Sequence, residues 1–370
     1  MKRALIILLM LSLLMCGCNN SADPGTTNET PESSSVETSE ETSEETSMDT
    51  TEEEVKPVVR FRHPLTGEPL DAPFTGRATA VVVNNIQAAL PHHGVSGADM
   101  IFEVETEGYI TRMLAIYTDL ENVGSIGPVR SARTFFNNIA LSFDAPLIHC
   151  GGSWAALNGQ YSDDPDTISG WEHINEQYNG SYFFRDNVRY KEQGYAWEHT
   201  LFTSGEKLLA GLEKKGYNKV YESGTDYGLT FADEIDLNGE TANTVVVKFP
   251  GNKTSTMTYD VATGRYTMAQ YGSPYVDGAN QKAMTFRNVL VLTTSHWKIY
   301  DGTYYRSYYD LAGSGDGYYA CGGEIVPIKW HRDTLRGSFT YTHADGTPLT
   351  LGVGTTYVGV VSTKCTTDYS

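Results

Sequence analysis

The segment Arg130-Ser131-Ala132-Arg133 carries the residue types best suited to chemistry in this sequence. It follows the loop Gly124-Ser125-Ile126-Gly127-Pro128. Ser131 reads as the N-cap of a helix running to Phe143, with Phe135, Ile139 and Phe143 at i, i+4 and i+8. A helix start offers free N–H donors and the positive end of a dipole, and guanidinium forks add charge. Arg130, Ser131 and Arg133 therefore form a candidate oxyanion or phosphate site, on which Arg112, at the start of the preceding strand, is placed to converge. The competing expectation is structural: these arginines pair with Glu103, Glu105 or Glu107 and hold the loops in place.

His149 ends an apolar run ahead of Gly151-Gly152-Ser153, where active-site groups of open α/β sheets often lie. His149 with Ser153 is thus a candidate acid–base or nucleophilic pair. No G-x-S-x-G elbow surrounds Ser153, so a histidine hydrogen-bonded inside the fold is the expected state, and His199, after Trp197-Glu198, reads the same way. His92-His93 sit in a Pro/Gly-flanked stretch and read as exposed. There is no HExxH or His/Cys cluster, so neither a metal nor another cofactor is expected. Gly313-Ser314-Gly315-Asp316-Gly317 lacks the Lys-Ser/Thr of a phosphate loop and reads as a flexible hairpin. The run Tyr304-Tyr305-Arg306-Ser307-Tyr308-Tyr309, with Trp297 and Trp330, suits either a glycan platform or cross-sheet packing.

The elements that must position these residues lie within 370 residues, 40% hydrophobic and 20% charged, enough for two domains. The net charge of −19 argues against a nucleic-acid partner, which would need clustered Lys and Arg. The one long apolar run, Ala4 to Met15, follows Lys2-Arg3 and is too short to span a bilayer, which excludes a multi-span membrane protein. It ends Leu14-Met15-Cys16-Gly17-Cys18, which resembles a bacterial lipoprotein signal. Gly17 before Cys18 fits the small residue such signals place ahead of the acylated cysteine, so residues 1–17 read as signal peptide and Cys18 as the lipidation site. Two acyl chains suffice for stable anchoring in a bilayer. Asn19 to Val55 holds twelve acidic residues and no basic one, a composition that cannot bury enough surface to order itself. Residues 18–57 are therefore expected to be a disordered tether of roughly 30–35 Å.

An α+β chain is expected beyond the tether. Residues 58–222 read as a mixed α/β domain: the runs Ala78–Asn84, Met100–Glu105, Thr111–Tyr117 and Pro146–Cys150 are strands, and Ser204–Lys215 is a helix closed by Gly216. Residues 223–367 read as β-rich, with short strands separated by Gly/Asp/Asn turns that include Asp345-Gly346. The three cysteines beyond the tether, Cys150, Cys321 and Cys365, are an odd number, so at least one thiol is free.

Several of these segments together resemble the YerB-like family of bacterial lipoproteins, whose function is undefined. They are His63-Pro64-Leu65-Thr66-Gly67, Val81-Val82-Val83-Asn84-Asn85, Ala98-Asp99-Met100-Ile101-Phe102-Glu103 and Glu107-Gly108-Tyr109-Ile110-Thr111-Arg112. The most specific is Ile126-Gly127-Pro128-Val129-Arg130-Ser131-Ala132-Arg133, followed by His149-Cys150-Gly151-Gly152-Ser153 and His199-Thr200-Leu201-Phe202. The β-rich half matches through Gly313–Gly317, Ile328-Lys329-Trp330 and Asp345-Gly346-Thr347-Pro348-Leu349. Cys150 stands where the family carries a small residue such as Ala, which argues against a nucleophilic thiol. The resemblance implies a two-domain extracytoplasmic lipoprotein and supplies no activity.

The expected function is a lipid-anchored module on the outer face of the cytoplasmic membrane of a bacterium of Gram-positive type. It would bind or scaffold without catalysis, its partners being the bilayer through Cys18 and a cell-wall component or envelope protein. The alternative is an enzyme gripping a phosphate- or pyrophosphate-bearing substrate through Arg130 and Arg133, a local pattern similar to the pyrophosphate-binding arginines of the LytR–CpsA–Psr wall-polymer transferases.

Overall fold

Seven consecutive buried residues make a strand only if both faces of its sheet are covered. In a computed structural model of the chain, which describes residues 60–158, 171–302 and 304–370, the β-branched run Thr79–Asn85 (β1) is such a strand. So are Met100–Glu105 (β2) and Thr111–Tyr117 (β3), joined through Gly108 at φ +74°. Leu147–His149 (β4) and His173–Asn175 (β5) complete the N-terminal half of the sheet. The signal peptide, Cys18 and the whole acidic tether lie outside the described residues.

The C-terminal half adds Thr244–Lys248 (β6), Thr254–Asp260 (β7), Arg265–Gln270 (β8), Asn288–Thr294 (β9), His296–Tyr300 (β10) and Tyr305–Tyr309 (β11). Gly313–Cys321 (β12), Glu324–Arg332 (β13) and Thr356–Ser362 (β14) follow. One 11-stranded sheet runs β13-β12-β9-β14-β2-β3-β1-β4-β5, with Glu240–Thr241 and Thr340–His343 paired to β13. Its centre is the parallel pair β14 and β2, in register Tyr357 opposite Ile101 and Val358 opposite Phe102. The two halves of the chain therefore share one sheet, and residues 57–370 form a single compact unit.

Strand alternation sends Val82, Phe102 and Leu114 to one face, where Phe135, Phe136 and Ile139 of the helix Thr134–Ser142 (α1) pack on them. Val81, Ile101 and Met113 face the other way, onto a six-stranded sheet built on β6, β7 and β8, and meet Val245, Val247, Met257 and Met268. Helix Gly205–Lys215 (α2) starts on Ser204, whose Oγ accepts from Lys207 N, and ends on Gly216 at φ +68°, as its sequence signals require.

Three expectations are corrected. Gly313–Gly317 is no flexible loop but the first half of β12, paired residue for residue with β13. A Cβ on Gly315 would lie 2.4 Å from Trp330 Nε1, and one on Gly317 2.4 Å from the Val291 carbonyl, so glycine permits close packing here rather than a turn. His92 is fully buried, because Tyr275 and Gly278 close over it: its ring bonds the Tyr275 hydroxyl at 2.5 Å and its carbonyl accepts from Gly278 N at 2.7 Å. Trp330 is likewise buried and belongs to no surface platform. Asp345-Gly346 does form the turn expected of it, with Asp345 Oδ1 accepting from Thr347 N.

Candidate functional site

β1 and β4 run parallel, and the chain between Val129 and Ala132 is spliced into the gap at their C-terminal ends. Arg130 N donates to Val82 O at 2.9 Å, Cys150 N to Arg130 O at 3.0 Å, and Ala132 N to Gly151 O at 3.0 Å. Because β3 is antiparallel to β1, its first residues lie beside the end of β1, with Arg112 opposite Asn84. Sheet register alone thus brings Arg112, Arg130 and Arg133 together, at strand ends where α/β sheets place their ligands.

The three arginines are in different states. Arg133 is locked: Nε donates to both Glu107 oxygens at 2.9 Å, Nη2 to Glu107 Oε2 at 2.7 Å and Nη1 to Ala132 O at 2.7 Å. Burial would raise the Glu107 pKa, but the Arg133 hydrogen bonds and charge overcome it and hold this carboxyl below its ordinary range. Arg130 is half-buried and loosely held, Nη2 standing 3.4 Å from Glu198 Oε2 while Nε has no partner. Arg112 is only 5% exposed and donates from Nη1 to Ser131 O at 2.7 Å, and its buried Nε is also unpartnered. Burial first, then the charges of Arg133 and Arg130, push the Arg112 pKa well down. Arg306 joins from β11, donating to Asp301 at 2.8 Å and lying 3.7 Å from Glu107. Four guanidinium groups meet three carboxylates here, and Arg112 bonds to none of them.

The candidate anion site at a capped helix start is corrected at its cap, and for Arg133 the competing structural expectation holds. The N-cap of α1 is Arg133, without a side-chain cap, rather than Ser131, whose carbonyl is taken by Arg112 instead. The Arg133 fork is spent on Glu107, one of the carboxylates named as its structural partner.

His149 and Ser153 do not act on one another. Gly151 O can only accept, so at 2.7 Å it fixes the proton of His149 on Nδ1, and Nε2 accepts from His173 Nδ1 at 2.9 Å. Burial lowers the His149 pKa to about 4, which keeps the ring neutral. Ser153 Oγ accepts from Ala156 N at 3.2 Å and caps the short helix Trp154–Asn158. His199 accepts on Nδ1 from Asn84 Nδ2 at 3.0 Å and is buried, as expected. The Cys150 thiol donates to Glu176 at 3.2 Å, and burial followed by that carboxylate pushes its pKa to about 12, where it is no nucleophile. Cys150, Cys321 and Cys365 are all free thiols. The residues that sequence reasoning missed are Glu198, Arg306 and Asp301, the last two delivered by a hairpin nearly two hundred positions away with no local signal.

Comparison with known proteins agrees with this architecture. Residues 65–218 match the model described as "Protein of unknown function (DUF3048) N-terminal domain", and residues 245–358 match the corresponding C-terminal domain. A protein of Bacillus subtilis (strain 168) named "Putative lipoprotein YerB" is 29% identical over 312 residues, covering 80% of this chain and 88% of that one. The crystal structure of YerB protein from Bacillus subtilis superposes with a TM-score of 0.68 at 26% identity, covering 83% of this chain and 99% of the solved one. Family models, a curated relative and a solved structure agree: the chain belongs to the YerB-like, two-part DUF3048 family.

Proposed function

We propose that this protein is a lipoprotein held by acylated Cys18 on the outer face of the cytoplasmic membrane, and that it works as a non-catalytic binding module of the cell envelope whose ligand carries an anionic group. The lipoprotein name of the Bacillus subtilis relative and the Gly17-Cys18 signal support the anchor. The observation that carries the ligand reading is Arg112: a guanidinium buried without a carboxylate of its own among the described residues, behind the surface-reaching Arg130. A buried charge is costly unless compensated, and an anion docked at Arg130 would supply the compensation. The non-catalytic reading rests on where the reactive side chains are spent. Ser153 caps a helix, His149 is neutral between a carbonyl and His173, and Cys150 is held protonated by Glu176.

Two experiments test this. Cys18→Ser should move the full chain from the membrane fraction to the medium, and retention on the membrane would overturn the anchor. Inorganic pyrophosphate titrated into the full chain should give saturable heat that is lost in Arg130→Ala at unchanged melting temperature, and no heat from the unsubstituted chain would overturn the anion site. Turnover of a polyprenyl pyrophosphate that disappears in Arg130→Ala would replace the non-catalytic reading with the enzymatic one.

A further inference from the structure

The hairpin of β10 and β11 forms a two-stranded sheet of its own, outside both large sheets. Tyr305 is 65% exposed, Tyr304 62% and Tyr300 53%, a density of solvent-facing rings that marks a contact surface. Pleating puts His296, Lys298 and Tyr300 on one face, opposite Tyr309, Ser307 and Tyr305. That face is held to the β2–β3 connection: Ser307 Oγ donates to Thr106 O at 3.3 Å and Tyr309 Oη to Glu105 Oε2 at 3.1 Å. Lys298 Nζ stands 5.9 Å from the ring centre of Tyr109, itself 61% exposed.

Between these elements opens a cleft of about 440 Å³, within the usual size of a ligand site, with Tyr109, Lys248, His296, Lys298 and Lys364 on its walls and Glu105 among its lining residues. Lys248 is engaged by Asp368, whereas Lys298 and Lys364 have no ion-pair partner among the described residues. His296 Nε2 is buried without a hydrogen-bond partner. This cationic rim is local, because acidic residues outnumber basic ones 34 to 25 from Lys56 onward. Tyrosine rings offer flat apolar faces edged by a polar hydroxyl, which suit the C–H faces and hydroxyls of sugar rings, and ammonium groups spaced along them suit acidic substituents.

We propose that the cleft and the adjoining hairpin face bind an acidic glycan, with sugar rings on Tyr109, Tyr300 and Tyr305 and its carboxylate or phosphodiester groups at Lys298 and Lys364. The site shares no residue with the Arg112–Arg130 cluster, so it stands or falls separately from the anion reading given above.

The test is affinity electrophoresis of the full chain, solubilised in detergent, through gels containing polygalacturonate, phosphomannan, neutral dextran or polyglutamate. Retardation by polygalacturonate or phosphomannan is expected, with none by dextran or polyglutamate. Tyr305→Ala and the pair Lys298→Glu with Lys364→Glu should each weaken retention at least tenfold, while Lys214→Glu, at an exposed position of α2, leaves it unchanged. Melting temperatures of these exposed-site variants should match the parent. Retardation by neither acidic glycan, equal retardation by polyglutamate, or indifference to the substitutions would overturn the proposal. So would binding confined to phosphatidylglycerol vesicles in a parallel sedimentation assay, since the cleft would then be a membrane contact.

Discussion

Two buried charged regions of this molecule lie on either side of the β2–β3 connection, and they are finished to different degrees. Glu103, on β2, is fully buried and completely served: Asn85, Thr111, Ser255 and Tyr357 donate to its oxygens at 2.6–2.8 Å, and Lys253 Nζ lies 3.0 Å away. Arg112, on β3, is almost as buried, yet it has one carbonyl acceptor and an idle Nε. The first region is closed and holds together strands from both halves of the chain. The second is left with surplus positive charge beside a surface arginine. Completeness of pairing therefore separates the charges that hold the fold from the surplus charge to which the proposed function assigns a ligand.

Breaking the closed region should have the largest effect. Lys253→Met leaves Glu103 buried and uncompensated, and a loss of about 3–5 kcal/mol is expected in urea unfolding. Glu103→Gln with Lys253→Met together should cost less than the sum of the single changes, and strict additivity would mean the two do not form one unit.

A pH effect comes next. Burial lowers the folded pKa of His149 to about 4, below the ordinary histidine value. Between roughly pH 6.5 and 4 the unfolded chain binds a proton that the folded one refuses, so stability falls as pH drops through that window, by on the order of 2–3 kcal/mol. His149→Gln should flatten that part of the stability-versus-pH curve measured by urea unfolding, whatever it costs at neutral pH.

Glu107→Gln removes the charged half of the bidentate pair with Arg133 while keeping its shape, and a loss of about 1–3 kcal/mol is expected in the same assay. The smallest effect on stability sharpens the comparison most. Arg130→Ala should change unfolding by no more than about 0.5 kcal/mol, because its pair with Glu198 is long and exposed, and still abolish pyrophosphate binding. A large stability loss there would put Arg130 with the structural charges instead.

The elements of both halves were legible because their signals are local. The Val81-Val82-Val83 run, the spacing of Phe135, Ile139 and Phe143, and the Ser204 and Gly216 caps each act over a few residues. The placement of Arg112 beside the end of β1, where the Arg130 segment enters, comes instead from the antiparallel pairing of β3 with β1. What distant chain decides was hidden. His92 looks like a loop residue until Tyr275 and Gly278 arrive from the other half, and the glycines of β12 look like a turn until Trp330 needs their missing side chains. The capping error at Ser131 has the same origin. Its carbonyl and the α1 start are set by the splice between β1 and β4, a tertiary arrangement that outweighs the local preference of serine for a cap.

The central parallel pair has a consequence for how the chain is made. β14 is Thr356–Ser362, and its neighbours on the two sides are β2 and β9. Until β14 has been made, the strand carrying Phe102 stands with one unsatisfied edge, with some 250 residues of sequence between it and its mate. Nascent chains must therefore wait, sticky-edged, for a strand made much later. A chain cut just before Thr356 would lose that strand and leave two half-sheets with no seam to join them.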